Sequence, residues 1–209
     1  MIEILGLGLI LWGLSKKKEV KPQTQKTQKK ILRFKNEKHN RYVENLAKEI
    51  GVPAEWIFGI MTFETAGTLS PKSKVNCKGY GQNTNVDYCC GGLIGFCPVY
   101  AGGSYIDGSK PYQKGNILEQ DIDYQLRYVR KFFLDGIKAY GRLKSKLDCY
   151  LLVFYPAAIK HSNNPNYIVG TGYSPNQHQV KALNPAFRDP KANGYVTIRK
   201  IKEVIENWF

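Results

Sequence analysis

The sequence predicts a mainly α-helical domain interrupted by one long, cysteine-bearing loop region. Three observations lead there. Tyr42, Val43, Leu46, Ala47 and Ile50 recur at the i, i+3/i+4, i+7 spacing of an amphipathic helix. A second stretch with Leu126, Val129 and Phe133 on one side and Arg127, Arg130 and Lys131 on the other repeats that pattern. Between them, residues 68–115 are rich in Gly, Asn, Tyr and Cys and show little periodicity, which reads as loop.

The elements follow in chain order. Gly51 is a natural stop for the helix that contains Tyr42–Ile50. Pro53 suits the first turn of the next helix, where its missing N–H is not needed. That helix reads AEWIFGIMTFETAG and is expected to end at Gly67. A third spans Asp121 to Leu134. Asp148 to Ile159 is a short apolar helix, bent or restarted at Pro156. Val196 to Trp208 forms a C-terminal helix.

The chain has 209 residues, enough for one good core with extra segments. Its net charge is +14, but the segment from Ser15 to Arg41 holds eleven basic residues against two acids and so carries +9 of it. That excludes a uniformly basic nucleic-acid coat. The basic arm has Phe34 as its only aromatic residue, which argues against stacking on bases, and no nucleic-acid partner is expected. Ile2 to Leu14 is apolar except for Glu3, short for a full span, and followed by Lys16, Lys17 and Lys18. It lacks the preceding positive charge and small-residue cleavage site of a secretory signal. It reads as an uncleaved membrane-associated helix, or as a helix docked on another protein. The expected division is 1–14 anchor, 15–38 basic flexible linker, 39–182 main folded domain and 183–209 a C-terminal turn-helix extension.

Glu64 is the leading candidate for chemistry. On the helix after Pro53 it shares a face with Ile57, Ile60 and Met61. An ionised carboxylate is costly to bury, so its pKa should rise and make it a proton donor near neutral pH. The plainer alternative is a carboxyl at the helix end that turns to solvent.

The run IFGIMTFETAGTLSP, followed by GGLIGFCP, then QLRYVRKFF and CYLLVFYPAAIK, resembles the lytic transglycosylases and goose-type lysozymes, closest to their phage or prophage type. The match covers roughly residues 42–160, with four elements in the family's order. The resemblance implies a lysozyme-like fold and cleavage of the β-1,4 bond between N-acetylmuramic acid and N-acetylglucosamine in peptidoglycan. It makes Glu64 the single catalytic acid and base. It implies substrate contacts from Gly92, Leu93, Ile94, Gln125 and Tyr155, with Tyr155 orienting Glu64 or the substrate acetamido group. It departs at Gly95, where the family has a glutamine that hydrogen-bonds in the cleft. Asp87 stands about where goose-type lysozymes carry an aspartate, and is the candidate second acid of a hydrolytic muramidase; a loop aspartate capping a turn is the plainer reading. The expected partners are peptidoglycan strands, a membrane through the N-terminal segment, and other virion proteins; no cofactor is implied. The expected place of action is the cell envelope, with membrane association or a virion as the carrier, because the lysine side of the anchor belongs in the cytoplasm. The non-enzymatic alternative is a lysozyme-like wall-binding or structural virion protein.

Of five cysteines, Cys77, Cys89, Cys90 and Cys97 fall within the loop region. Disulfides would staple a loop that lacks its own core; a four-thiolate zinc site is the rival, though its usual spacing is absent, and free thiols are the third option. Cys149 lies in an apolar helix and is expected to be a buried free thiol. His39, His161 and His178 show no metal spacing. Asp189, Asn193 and Gly194 keep parts of a calcium loop, but Lys191 and Lys200 stand where oxygen ligands belong, so a structural turn without metal is expected.

Overall fold

A computed structural model describes residues 30–75, 90–96, 120–173 and 176–208. The expected anchor, most of the linker, Asp87, Cys77, Cys89 and Cys97 lie outside these residues. Among the described residues the chain is mainly α-helical, and no helix is long and apolar enough to cross a membrane.

Helix α1 spans Glu37–Ile50. Asn36 caps it by accepting from the Lys38 amide, and Gly51 ends it in the left-handed conformation, at φ 73°. Its buried face is Asn40, Val43, Leu46, Ala47 and Ile50. The Asn40 amide clasps the preceding strand of chain, accepting from Phe34 N at 2.8 Å and donating to Phe34 O at 3.0 Å. Phe34 is thereby buried in the core, with Ile31 and Leu32 packed against it. Packed structure begins around Ile31, where three apolar residues and one buried amide hold the chain.

Helix α2 spans Ala54–Glu64 and is apolar almost all round, with Ile57, Phe58, Ile60 and Met61 fully enclosed. Such a helix is a core helix rather than a surface one. Pro53 is its N-cap, one position earlier than expected, and the helix ends at Glu64 rather than Gly67. The guanidinium of Arg33 lies over the Phe58 ring at 3.9 Å and pairs with Glu55 at 2.8 Å.

Helix α3, Ile122–Tyr140, is capped by the Asp121 carboxylate on Tyr124 N and runs six residues past the expected Leu134. The extension packs: Gly136 is buried, and a Cβ there would stand 2.5 Å from Leu152. A larger residue there would displace the Leu152 methyl groups. Helix α4, Lys146–Phe154, is capped by Ser145, and Pro156 ends it by lacking an N–H; the chain continues as a 3-10 segment, Pro156–His161. Helix α5, Gln177–Leu183, was not anticipated. Its Asn176/Gln179 capping box was the available signal. Helix α6, Ile198–Trp208, starts two residues later than expected because Val196 and Thr197 are held in bridges to Arg188 and Ile168.

Helix α1 packs on α2 and α3, α2 on α4, and α4 on α6. One continuous core results, running from Phe34 to Ile205. A short antiparallel pairing joins β1, Lys74–Val75, to β2, Cys90–Gly91. Arg130 of α3 forks onto Glu49 of α1 at 2.8 and 2.6 Å, an exposed pair worth at most about 1 kcal/mol.

Candidate active site

Glu64 is the last residue of α2, directly after Phe63. The residue as a whole keeps a partly exposed surface. Its carboxyl, however, is enclosed, and burial pushes its pKa up to about 7. A hydrogen bond from the Tyr150 hydroxyl acts the other way and favours the carboxylate, but burial wins. Burial, the Glu64 charge and the shared hydrogen bond all push the Tyr150 phenol well above its usual range. Tyr150 therefore stays a donor wherever Glu64 titrates.

Tyr150 is fixed by rings. It is fully buried on α4, stacked on Phe154 at 5.8 Å and edge-on to Phe63 at 5.4 Å. Phe187 fills the space beside it at 5.9 Å, and Trp208 of α6 closes edge-on over Phe63 at 5.0 Å. Such pairs contribute about 0.5–1.5 kcal/mol each beyond their burial, and here they also leave the hydroxyl one direction to point. The clue to Tyr150 was in the sequence: a hydroxyl inside the apolar run CYLLVFY must find a partner once buried.

The loop after Glu64 is tightly bonded and strained. Thr65 is buried, its hydroxyl donating to Met61 O at 2.7 Å and accepting from Leu69 N at 2.9 Å. Ala66 and Leu69 both stand at φ 50°, a conformation that costs about 1–3 kcal/mol for residues other than glycine. Strain of this kind persists where the surroundings over-determine it, and here it fixes the chain leaving Glu64.

Gly92, Leu93 and Ile94 form the tip of a turn closed by Gly91 and Phe96, with N···O distances of 3.0 and 2.7 Å. The Leu93 and Ile94 side chains are buried in the core, so what this turn can offer a ligand is backbone. Ser73 ties the turn to the loop after Glu64: its carbonyl accepts from Gly92 N at 2.9 Å, and its hydroxyl meets that of Thr68 at 3.0 Å. Gln125 of α3 is fully buried, accepting from Leu93 N at 3.0 Å and donating to Pro71 O at 2.8 Å. Its amide is thus turned onto the turn's backbone. Gly95 stands at φ 65°, where a glutamine would be strained, which gives a physical reason for glycine at this position.

Tyr155 is buried at the break between α4 and the 3-10 segment. The structure brings Glu64 together with Tyr150, one helical turn and a half earlier. Cys149 is a buried free thiol whose pKa burial pushes up to about 12. Cys90 lies in β2. Asp189 is enclosed, with Thr197 Oγ1 at 2.6 Å, Arg199 Nη2 at 2.7 Å and Lys191 N at 2.9 Å as donors, so its carboxylate organises the C-terminal turn.

A carboxyl that titrates near pH 7 can give a proton and take one back within a cycle. Comparisons with protein-family models, with curated proteins and with solved structures find no match to this chain.

Proposed function

We propose that the protein is a lysozyme-like, peptidoglycan-cleaving lytic transglycosylase acting on the bond between N-acetylmuramic acid and N-acetylglucosamine. The observation that carries this reading is the Glu64 carboxyl, held half-protonated near neutral pH at the end of a core helix. Glu64 gives its proton to the glycosidic oxygen as the C1–O bond breaks. The muramic acid acetamido oxygen stabilises C1, so no second carboxylate is required. The Glu64 carboxylate then takes the proton of the 6-hydroxyl as O6 bonds to C1. The 1,6-anhydro ring forms and Glu64 is again protonated, with no water consumed. Tyr150 steadies the carboxylate between the two steps, and the Gly92–Ile94 backbone lies under the sugar.

The reading places the enzyme at the cell envelope, tethered by Ile2–Leu14 and the basic arm, in phage-associated wall lysis or penetration. Digesting isolated sacculi with the full chain and weighing the soluble muropeptides tests it. Anhydro-ended products are expected, reduced about 10²–10⁴-fold by Glu64→Gln. Reducing ends would move the assignment to a hydrolytic muramidase. Glycine in place of the family glutamine at position 95 supports a second reading, a wall-binding protein without turnover. Sacculus binding with no soluble product would select it.

A further inference from the structure

A groove of about 780 Å³ opens where the start of α2, the α3–α4 connection, the first turn of α4 and one side of α6 meet. Glu64 does not line it. Trp56, which does, lies eight residues earlier on α2, about 12 Å along the helix axis. The groove is thus a second feature, apart from the proposed catalytic acid.

Its chemistry is mixed in an informative way. Basic side chains outnumber acidic ones five to two. Arg142 and Lys144 are exposed, and among the described residues neither is paired with a carboxylate. Trp56 and Tyr140 add ring surface, Tyr140 being 49% exposed. The acids are Glu206, 3.8 Å from Lys202, and Asp148. Asp148 is enclosed in the groove wall; its Oδ2 accepts from Lys144 N at 2.8 Å, while Oδ1 has no partner among the described residues. An unmet buried acceptor is destabilising and is relieved by a donor.

We propose that this groove binds an anionic, hydroxyl-rich saccharide. Arg142 and Lys144 meet its acid groups, Trp56 and Tyr140 lie against its rings, and Asp148 and Glu206 accept from its hydroxyls. A nucleic-acid strand offers phosphates in regular succession and would meet those two carboxylates as repulsion, whereas a sugar meets them as acceptors. The acid groups could be carboxylates or phosphodiesters; both present the same charge to Arg142 and Lys144. This inference goes beyond the proposed reaction and does not depend on it.

The test uses the full chain carrying Glu64→Gln, so that no probe is turned over. It is titrated calorimetrically with hyaluronan tetrasaccharide, with polyribitol phosphate, with neutral chitotetraose and with a single-stranded oligonucleotide. At least one of the two anionic saccharides is expected to bind, and which one identifies carboxylate or phosphodiester as the source. Adding Arg142→Gln and Lys144→Gln should weaken that binding about tenfold or more, and Tyr140→Ala severalfold, with the thermal midpoint unchanged because all three side chains are exposed. Failure of both anionic saccharides to bind would overturn the proposal. So would undiminished binding in the Arg142/Lys144 variant, chitotetraose binding that these changes weaken equally, or displacement by the oligonucleotide. Absence of sacculus cleavage by the wild-type chain, with saccharide binding intact, would count against the proposed reaction alone, and the reverse against the groove alone.

Discussion

The hydroxyl of Tyr150 on α4 donates to the carboxyl of Glu64 at the end of α2, and the two residues meet because α4 packs directly on α2. The pair is set in a ring cluster of Phe63, Phe154, Phe187 and Trp208. Its position joins an element near the start of the domain to the C-terminal helix.

The bond from Tyr150 lowers the Glu64 pKa against the larger effect of burial. Tyr150→Phe should therefore move the Glu64 titration above about 7. The alkaline limb of the pH–activity profile on sacculi should shift upward, and activity at pH 7 should fall about tenfold, the worth of one hydrogen bond to a charged group. A limb that stays in place or moves down would show that the bond does not act on the catalytic proton.

Glu64 also has a stability consequence. The unfolded chain ionises it near 4.5, while the folded protein keeps it protonated up to about 7. The native state thus binds the extra proton between those values, and stability falls as pH rises through that window, by up to about 3 kcal/mol. Glu64→Gln removes the ionisation. Its thermal midpoint should exceed the wild-type value at pH 8, and the difference should shrink as pH falls toward 4.5.

Gln125 holds the Gly92–Ile94 turn in place. Gln125→Leu strands the Leu93 amide and the Pro71 carbonyl, and should cost about 3 kcal/mol in urea unfolding. Gly92→Ala should be comparably harmful, since its Cβ would stand 2.6 Å from Gln125 Oε1 at a φ of 77°. A Gln125→Leu protein as stable as the wild type would remove the amide from this structural role.

Asp189 behaves oppositely to Glu64. Burial alone would raise its pKa, but the hydrogen bonds from Thr197 and Arg199, with the Lys191 amide and the Arg199 charge, hold it below 3.8. Its stabilisation is present above 3.8 and is lost as pH falls through the lower, folded value. Asp189→Asn should cost about 2 kcal/mol at pH 7 and nothing once the native carboxyl is protonated, as read by unfolding at stepped pH.

Much of the helical layout was legible in the sequence because it depends on local periodicity and caps. The face of α1 follows from the spacing of Val43, Leu46 and Ile50, and its end from Gly51. Helix ends were less legible where tertiary contact decided them. α3 runs on past Leu134 with the Leu152 side chain lying against Gly136, and α6 starts late because Val196 and Thr197 are taken up in bridges.

The sequence by itself determined that a carboxylate stands at the end of an apolar helix and that a glycine-rich turn follows it. Glu64 and the Gly92–Ile94 segment are visible as residue types at fixed spacings. Only the tertiary structure decided which hydroxyl serves that carboxylate. Tyr150 and Glu64 lie 86 positions apart, and their contact depends on how α2 and α4 cross, a relationship no local pattern encodes. The groove around Arg142, Lys144 and Trp56 likewise exists only because four segments, distant from Trp56 to Glu206, close around one space.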